Sequence, residues 1–388
     1  MKLQETSVYV HFPWCAKKCP YCDFATTKRA PGDIPHDAYA DAVIKELRTR
    51  GPFEGRELYS VFFGGGTPSL WAPAAVGRVL EAIRAAFSSE VNDVEITAEC
   101  NPNSLSDDVI EGFGDVGINR LSVGVQSLRN SQLQYLGRLH DRAEALSALE
   151  RAQRRFDRVS ADLMFGMPGQ VELAAEIAAA VATGVKHVSA YALTIEPGTQ
   201  FGERQRLGKL EVASDDTYAR LFGDAERLFA DSGFAHYEVS NYAQPAEEAR
   251  HNQHYWRGGD YVGLGAAAVG CLSSTFVLPS RSKVHVARRY KSSADAEEYM
   301  AADGMLEAEV EELDDQARIR EALMLGLRMA EGVDLAALEA RVGVDPLEGR
   351  RREFEARLES GDLVQNGSRV RVPSDRWILL DGIVSDLF

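Results

Sequence analysis

Cysteine is scarce in this chain. There are five in 388 residues, and an odd count in a long polypeptide argues against a disulfide framework. Long apolar stretches are missing too: no run approaches the roughly 18 residues of a transmembrane helix, and residues 1 to 30 lack the uninterrupted apolar core of a secretion signal. The expectation is a reduced, cytoplasmic chain with no transmembrane segment. Positive charge is in deficit, because 43 Lys and Arg face 59 Asp and Glu for a formal net charge of -16. Proteins that grip phosphate backbones gather positive charge, so nucleic acid is not an expected partner. The one dense basic group, Arg142, Arg151, Arg154, Arg155 and Arg158, reads as a solvated helix face. Internal repeats and low-complexity tracts are absent, and 45% hydrophobic content suffices for one large domain with a smaller one attached.

What cysteine there is lies together, for Cys15, Cys19 and Cys22 fall within eight residues. Val8, Tyr9, Val10 and Phe12 before them read as a buried strand, and Pro13 ends its ladder because it has no N–H to donate. The three thiols therefore hang from a loop at a strand's end. Such a loop can turn sulfurs three and four residues apart toward one centre, as zinc or an iron-sulfur cluster requires. A closed zinc site needs four ligands, and the candidates for a fourth, His11, Cys100, Cys271 and His251, include none that completes a local tetrahedron.

The following residues alternate between strand and helix. Strands are expected at Leu58 to Phe63, Val94 to Ala98, Leu121 to Val125, Val159 to Phe165 and Val188 to Leu193. Helices are expected at Ala38 to Leu47 with Asp37 as N-cap, at Val76 to Phe87, and around 142 to 154 and 171 to 182. Six strands with crossovers between them demand a parallel sheet, and the fold class is α/β with a partial (β/α)6 barrel of the TIM type. Functional residues gather at the carboxyl ends of such strands. The cysteines, the run Gly64-Gly65-Gly66-Thr67, Glu99, Gln126 and Asp162 all occupy or follow strand ends. After residue 200 the rhythm breaks into a helix Asp215 to Ala230, a strand Tyr237 to Val239, the segment Ala249 to Trp256, a glycine-rich stretch Tyr261 to Gly270 and an acidic linker around 294 to 315. Amphipathic helices at Ile319 to Met329, Leu335 to Val342 and Phe354 to Leu358 follow, then a hairpin Leu363 to Val372 and a last helix Trp377 to Leu387. This C-terminal piece looks like a winged-helix module used as a packing or partner surface. The expected division is a barrel over 1–200, an extension over 201–293 and the C-terminal module over 310–388.

The spacing Cys-x3-Cys-x2-Cys resembles the signature of the radical S-adenosylmethionine superfamily, whose three thiolates hold three irons of a 4Fe-4S cluster and leave the fourth iron to the nucleotide. Phe63-Gly-Gly-Gly-Thr-Pro-Ser69 is similar to the oxygen-independent coproporphyrinogen dehydrogenase branch, a likeness that covers most of residues 7 to 280. The resemblance implies that Cys15, Cys19 and Cys22 hold the cluster. It also implies that Tyr9, Gly65, Gly66, Thr67, Glu99, Gln126, Arg138 and Asp162 hold S-adenosylmethionine, with Arg138 able to fork onto its carboxylate and the acids and Gln126 able to accept from its amine or ribose. Tyr21 would support the cluster or an adenine by stacking. Each of these residues has an ordinary structural account as well, in a surface ion pair, a helix cap or a satisfied buried polar group.

Two residues after Cys22 the dehydrogenases of this branch carry a fourth cysteine, and this chain has Phe24. Cys-x3-Cys-x2-Cys-x-Phe resembles instead the HemW family of haem chaperones, and His251-Asn252-x-x-Tyr255-Trp256 is similar to that family's haem motif. The resemblance implies a haem carrier serving acceptor haemoproteins such as respiratory ones, with His251 as axial ligand and Tyr255 and Trp256 against the porphyrin. Dehydrogenase activity is not expected, although coproporphyrinogen oxidation is the rival function. His254 is a further candidate, His11 reads as structural, and Cys100 and Cys271 read as packing thiols. The family stretch that Gly263 to Gly270 resembles commonly carries a histidine where Val269 stands, which leaves the second axial position open.

Overall fold

A computed structural model describes residues 3–87, 93–277, 283–302 and 307–388. The main sheet begins with β1 (Gln4–Phe12), β2 (Arg56–Gly65), β3 (Glu95–Cys100), β4 (Arg120–Gln126), β5 (Arg158–Phe165) and β6 (His187–Ala192), adjacent in that order and all parallel. Helices α1 (His36–Arg50), α2 (Pro73–Ala86), α3 (Asp107–Asp115), α4 (Arg142–Gln153) and α5 (Ala174–Ala182) lie in the connections between them. All six expected strands are present; five lie within two residues of their expected bounds, and β1 begins four residues before the expected Val8. Helix α3 was not expected; Ser106 caps it by accepting from the Val109 N–H, and Ile110 and Phe113 give it one buried side. Asp37 is not the cap of α1. Pro35 holds that place and Asp37 lies in the first turn, where its charge still favours the helix end.

Period-two alternation gives the sheet two chemically different faces. Val8, Val10, Phe12, Val61, Phe63, Ile96, Ala98, Leu121, Val123, Val159 and Ala161 are buried in one apolar core with residues of α1, α2 and α4. The alternate positions are Tyr9, His11, Ser60, Thr97, Glu99, Ser122, Gln126, Ser160, Asp162 and Ser189, a polar set on the opposite face, with Phe62 as an apolar ring among them. That face carries the candidate chemistry.

The sheet continues past both ends of the parallel block. After α6 (Asp215–Asp231), β7 (Ala235–Glu238) and β8 (Asn241–Ala243) extend it beyond β6. Helix α7 (Arg250–Trp256) then leads to β9 (Asp260–Leu264), which pairs parallel with β1, followed by the antiparallel β10 (Val269–Val277), β11 (Lys283–Ser292) and β12 (Glu307–Leu313). The resulting twelve-stranded order, β12-β11-β10-β9-β1-β2-β3-β4-β5-β6-β8-β7, stays open. The expected acidic linker is structured wherever it is described: Ala296–Ala301 is helical and Glu307–Leu313 is β12, while residues 303–306 lie outside the described residues. Its acids are cross-strand partners, with Glu307 on Arg288 at 2.6 Å, Glu309 on Lys291 at 3.2 Å and Glu311 on Arg289 at 3.1 Å.

Helices α8 (Asp315–Gly326), α9 (Leu335–Val342) and α10 (Arg351–Ser360) enclose a second core of Ile319, Leu323, Leu338, Phe354, Val370 and Trp377. The expected hairpin is β14 (Val364–Asn366) with β15 (Arg369–Arg371), and β13 (Val333–Asp334) adds a third strand. The last expected helix is split into a 3-10 turn at Ser374–Leu379 and an α-helix at Leu380–Ser385. Backbone bonds tie this module to β7 and its exit, Val239 N–H to Arg328 O at 2.9 Å and Ala330 N–H to Tyr237 O at 3.0 Å.

Candidate functional site

The cysteine loop is held by backbone contacts that glycine makes possible. The Gly66 N–H donates to Phe12 O at 2.7 Å and the Thr67 N–H to Trp14 O at 2.9 Å, so the end of β2 lies directly against the loop. A Cβ on Gly66 would stand 2.5 Å from Trp14 O and 2.7 Å from Phe12 O. Thr27 N–H and Arg29 N–H close the far side of the loop on Pro13 O and Cys15 O, each at 2.9 Å. Cys19 accepts from Arg138 Nη1 at 3.6 Å, the Thr67 hydroxyl neighbours Cys15, and the Phe24 N–H neighbours Cys22. Burial pushes the Cys15 and Cys22 thiols up, the neighbouring thiols add to the rise, and these donors oppose it.

Donors aimed at sulfur are what a thiolate ligand set needs, since hydrogen bonds to the sulfurs stabilise the deprotonated, metal-bound form. Among the described residues, no three His, Cys, Asp or Glu side chains converge as ligands of a single ion. A 4Fe-4S cluster gives each thiolate its own iron, and three thiols carried by one loop are a ligand set of that kind.

Next to the loop, the polar face brings the other predicted residues together. Gly65, at φ 99°, donates its N–H to Glu99 Oε2 at 3.1 Å. Burial first, and then the charge of Asp162, push the Glu99 carboxyl up to about 8. Tyr9 stacks on Phe62 with ring centroids 6.3 Å apart, and its hydroxyl meets His11 Nδ1 at 3.0 Å. Asp162 is raised by burial and accepts from Ser122 Oγ at 2.9 Å. Gln126 ends β4 at φ 66°, a left-handed conformation uncommon for a residue with a side chain. Arg138 touches Cys19, donates to Gly124 O at 2.9 Å, and bonds Asn101 Oδ1 and the Tyr21 hydroxyl. Tyr21 packs against Phe201 with centroids 6.4 Å apart. Thr67 Oγ1 accepts from Asn101 Nδ2 at 2.9 Å. Asn101, which bridges Thr67 and Arg138, was not singled out from the sequence; the signal for it was its place just beyond the end of β3.

A cavity of about 1000 Å³ opens beside this face, lined by Tyr9, Gly65 and Glu99 from the strands and by His251 and Tyr255 from α7. His251 is fixed by Ser60 Oγ on its Nδ1 at 2.9 Å, by Phe62 stacked at 5.0 Å, and by its own N–H on Glu95 Oε1 at 3.0 Å. Its Nε2 has no hydrogen-bond partner among the described residues. Burial lowers its pKa to about 4, so the ring is neutral near pH 7 with a lone pair available to a metal. His254 is committed elsewhere, Nε2 to Asp260 O at 2.9 Å, and both nitrogens of His11 are bonded, to Tyr9 and to Ala25 O. Tyr255 is partly exposed in the cavity wall, whereas Trp256 does not line it. Val269 and Cys271 also line the cavity, as does Phe24, which is 55% exposed. The far wall belongs to the C-terminal module, with Arg318, Leu325 and Arg341, none of which the sequence marked.

Comparison with known proteins agrees with this geometry. Residues 9–180 match the radical SAM superfamily, and residues 313–375 match the HemN C-terminal domain. The radical SAM match implies a 4Fe-4S cluster and S-adenosylmethionine. The solved structure of coproporphyrinogen III oxidase (HemN) from Escherichia coli, a radical SAM enzyme, superposes with a TM-score of 0.79 over 100% of this chain and 90% of that one, at 20% identity, which establishes a shared fold. The heme chaperone HemW of Escherichia coli is 38% identical over 277 residues, 70% of this chain and 71% of that protein. HemW of Lactococcus lactis is 34% identical over 337 residues, covering 86% and 84% of the two chains. The mitochondrial radical S-adenosyl methionine domain-containing protein 1 of Bos taurus is 33% identical over 390 residues, covering 97% of this chain and 82% of the relative. On the cysteine loop, the two-domain match and these relatives together, the chain belongs to the HemW family of haem chaperones.

Proposed function

We propose that this protein binds haem in the cavity beside the polar face, with His251 Nε2 as axial ligand, and passes it to acceptor haemoproteins. The observation that carries the reading is His251 itself, a neutral imidazole oriented through Nδ1 by Ser60 and backed by Phe62, with its second nitrogen uncommitted. Cys15, Cys19 and Cys22 hold the 4Fe-4S cluster in this proposal, and Tyr9, Gly65, Gly66, Thr67, Glu99, Gln126, Arg138 and Asp162 surround S-adenosylmethionine. When bound, the cluster supplies an electron donor and an open iron for the nucleotide. The chain's own part is to order the loop through Gly66 and Thr67, to place Arg138 on Cys19, and to present Glu99 to the ligand's positive groups. Glu99 borders the same cavity as His251, so occupancy of the nucleotide site and of the haem site acts on one set of walls. Among the described residues no helix is long and apolar enough to cross a membrane, so delivery to a membrane-bound acceptor would run through contact with that acceptor.

Haem titration followed by absorbance tests the reading. Wild type shows a saturable shift of the main haem band, and His251→Ala loses the shift and at least about tenfold in affinity, equivalent to about 1.4 kcal/mol. An unchanged spectrum and affinity in the variant removes His251 and the site with it.

A further inference from the structure

Haem is an iron porphyrin with two propionate carboxylates, and a pocket that takes it by the metal must also meet those charges. The cavity offers three arginines, and they differ in how they are occupied. Arg289 is paired with Glu311 and Glu321, and Arg318 with Asp315. Arg341, near the C-terminus of α9, has no carboxylate of a described residue within ion-pair distance. Its Nη1 donates to two backbone carbonyls, Arg257 O at 3.0 Å and Gly258 O at 3.1 Å, and its Nε and Nη2 make no hydrogen bond to a described residue. Arg341 lines the cavity while remaining exposed to solvent. The nearby acid Asp260 is already taken by Arg56 at 2.6 Å.

The anchor points matter as much as the vacancy. Arg257 and Gly258 directly follow α7, the helix whose first turn carries His251 and whose last turn carries Tyr255. From His251 to those carbonyls the helix advances about 10 Å at 1.5 Å per residue, comparable to the reach from the centre of a porphyrin to its propionates. His251 and the carbonyls that hold Arg341 thus belong to one helix and its exit, and His251, Tyr255 and Arg341 all line the cavity.

We propose that Arg341 receives a propionate carboxylate of the porphyrin held by His251, which makes the C-terminal module part of the binding site and the carboxylate a determinant of specificity. The inference rests on the haem reading above, and the experiment separates the two. Haem and haem dimethyl ester, whose propionates carry no charge, are titrated in the same detergent buffer into wild type, Arg341→Gln and Arg341→Lys. Wild type prefers haem over the ester by about tenfold or more. Arg341→Gln binds the two equally, with ester affinity and the bound-haem spectrum as in wild type, and Arg341→Lys keeps part of the preference. Equal binding of haem and ester by wild type, or an undiminished preference in Arg341→Gln, overturns the role of Arg341 while leaving His251 in place. Failure of wild type to bind either compound overturns the haem reading itself.

Discussion

At Gly66 a single hydrogen atom decides whether the cysteine loop can close. The carbonyls of Phe12 and Trp14 occupy the space a methyl group would take, and both are backbone atoms that cannot swing aside. Gly66→Ala is expected to cost about 2 to 4 kcal/mol and to reduce iron and sulfide content in anaerobically reconstituted protein, measured by denaturant titration and by metal analysis. Wild-type iron content in that variant would show that the loop tolerates displacement. The cysteines, Gly65, Gly66 and Thr67 were legible because each has a side-chain chemistry or a lack of one that only a few structural roles use. Asn101 and Arg341 were not, because an amide or a guanidinium suits almost any polar surface, and their partners lie far away in the chain.

Among the elements, α7 and β10 contribute most to the cavity chemistry. His251 comes from the first and Val269 from the second, and both line the same space. Val269→His places a second imidazole there. Bound haem is expected to change from one axial histidine to two, read as a low-spin absorbance spectrum that persists in the presence of competing imidazole, with affinity raised several-fold. A spectrum identical to wild type would mean that β10 does not face the open side of the iron. The parallel strands were readable as short apolar runs alternating with helical stretches, and strand-end placement together with the family resemblance singled out Glu99, Gln126 and Asp162. The acidic stretch after residue 294 was misjudged for an equally physical reason. A run of Glu looks solvated until Arg288, Arg289 and Lys291 are found opposite it, and sequence order does not reveal cross-strand neighbours.

In the molecule as a whole, buried ionisable groups pull stability in two directions. His251 and His140 are lowered to about 4 and His187 well below its ordinary value, each first by burial. Unfolding lets them take up protons, so their contribution is full above about pH 6.5 and drains away as pH falls toward 4, by up to about 1.4 kcal/mol per pH unit for each. Glu99 and Glu238 are raised to about 8 by burial and act the other way, with stability full below about 4.5 and lost as pH climbs through 8. The cluster-free protein is therefore expected to be most stable at mildly acidic pH, with urea midpoints declining on both sides; a midpoint that does not vary between pH 5 and 8.5 would contradict this.

β1, from which the cysteine loop hangs, is flanked by β2 on one side and β9 on the other, and Gln4 meets Asp260 across 256 positions of sequence. A chain emerging from the ribosome exposes its three thiols almost at once, yet the strand that fixes their support is made far later. Iron and sulfide delivered early would meet an unframed loop. On the proposed ligand set, cluster loading is expected to be a late event of biosynthesis, and a truncation that ends before β9 should yield a polypeptide that keeps Cys15, Cys19 and Cys22 and holds no cluster.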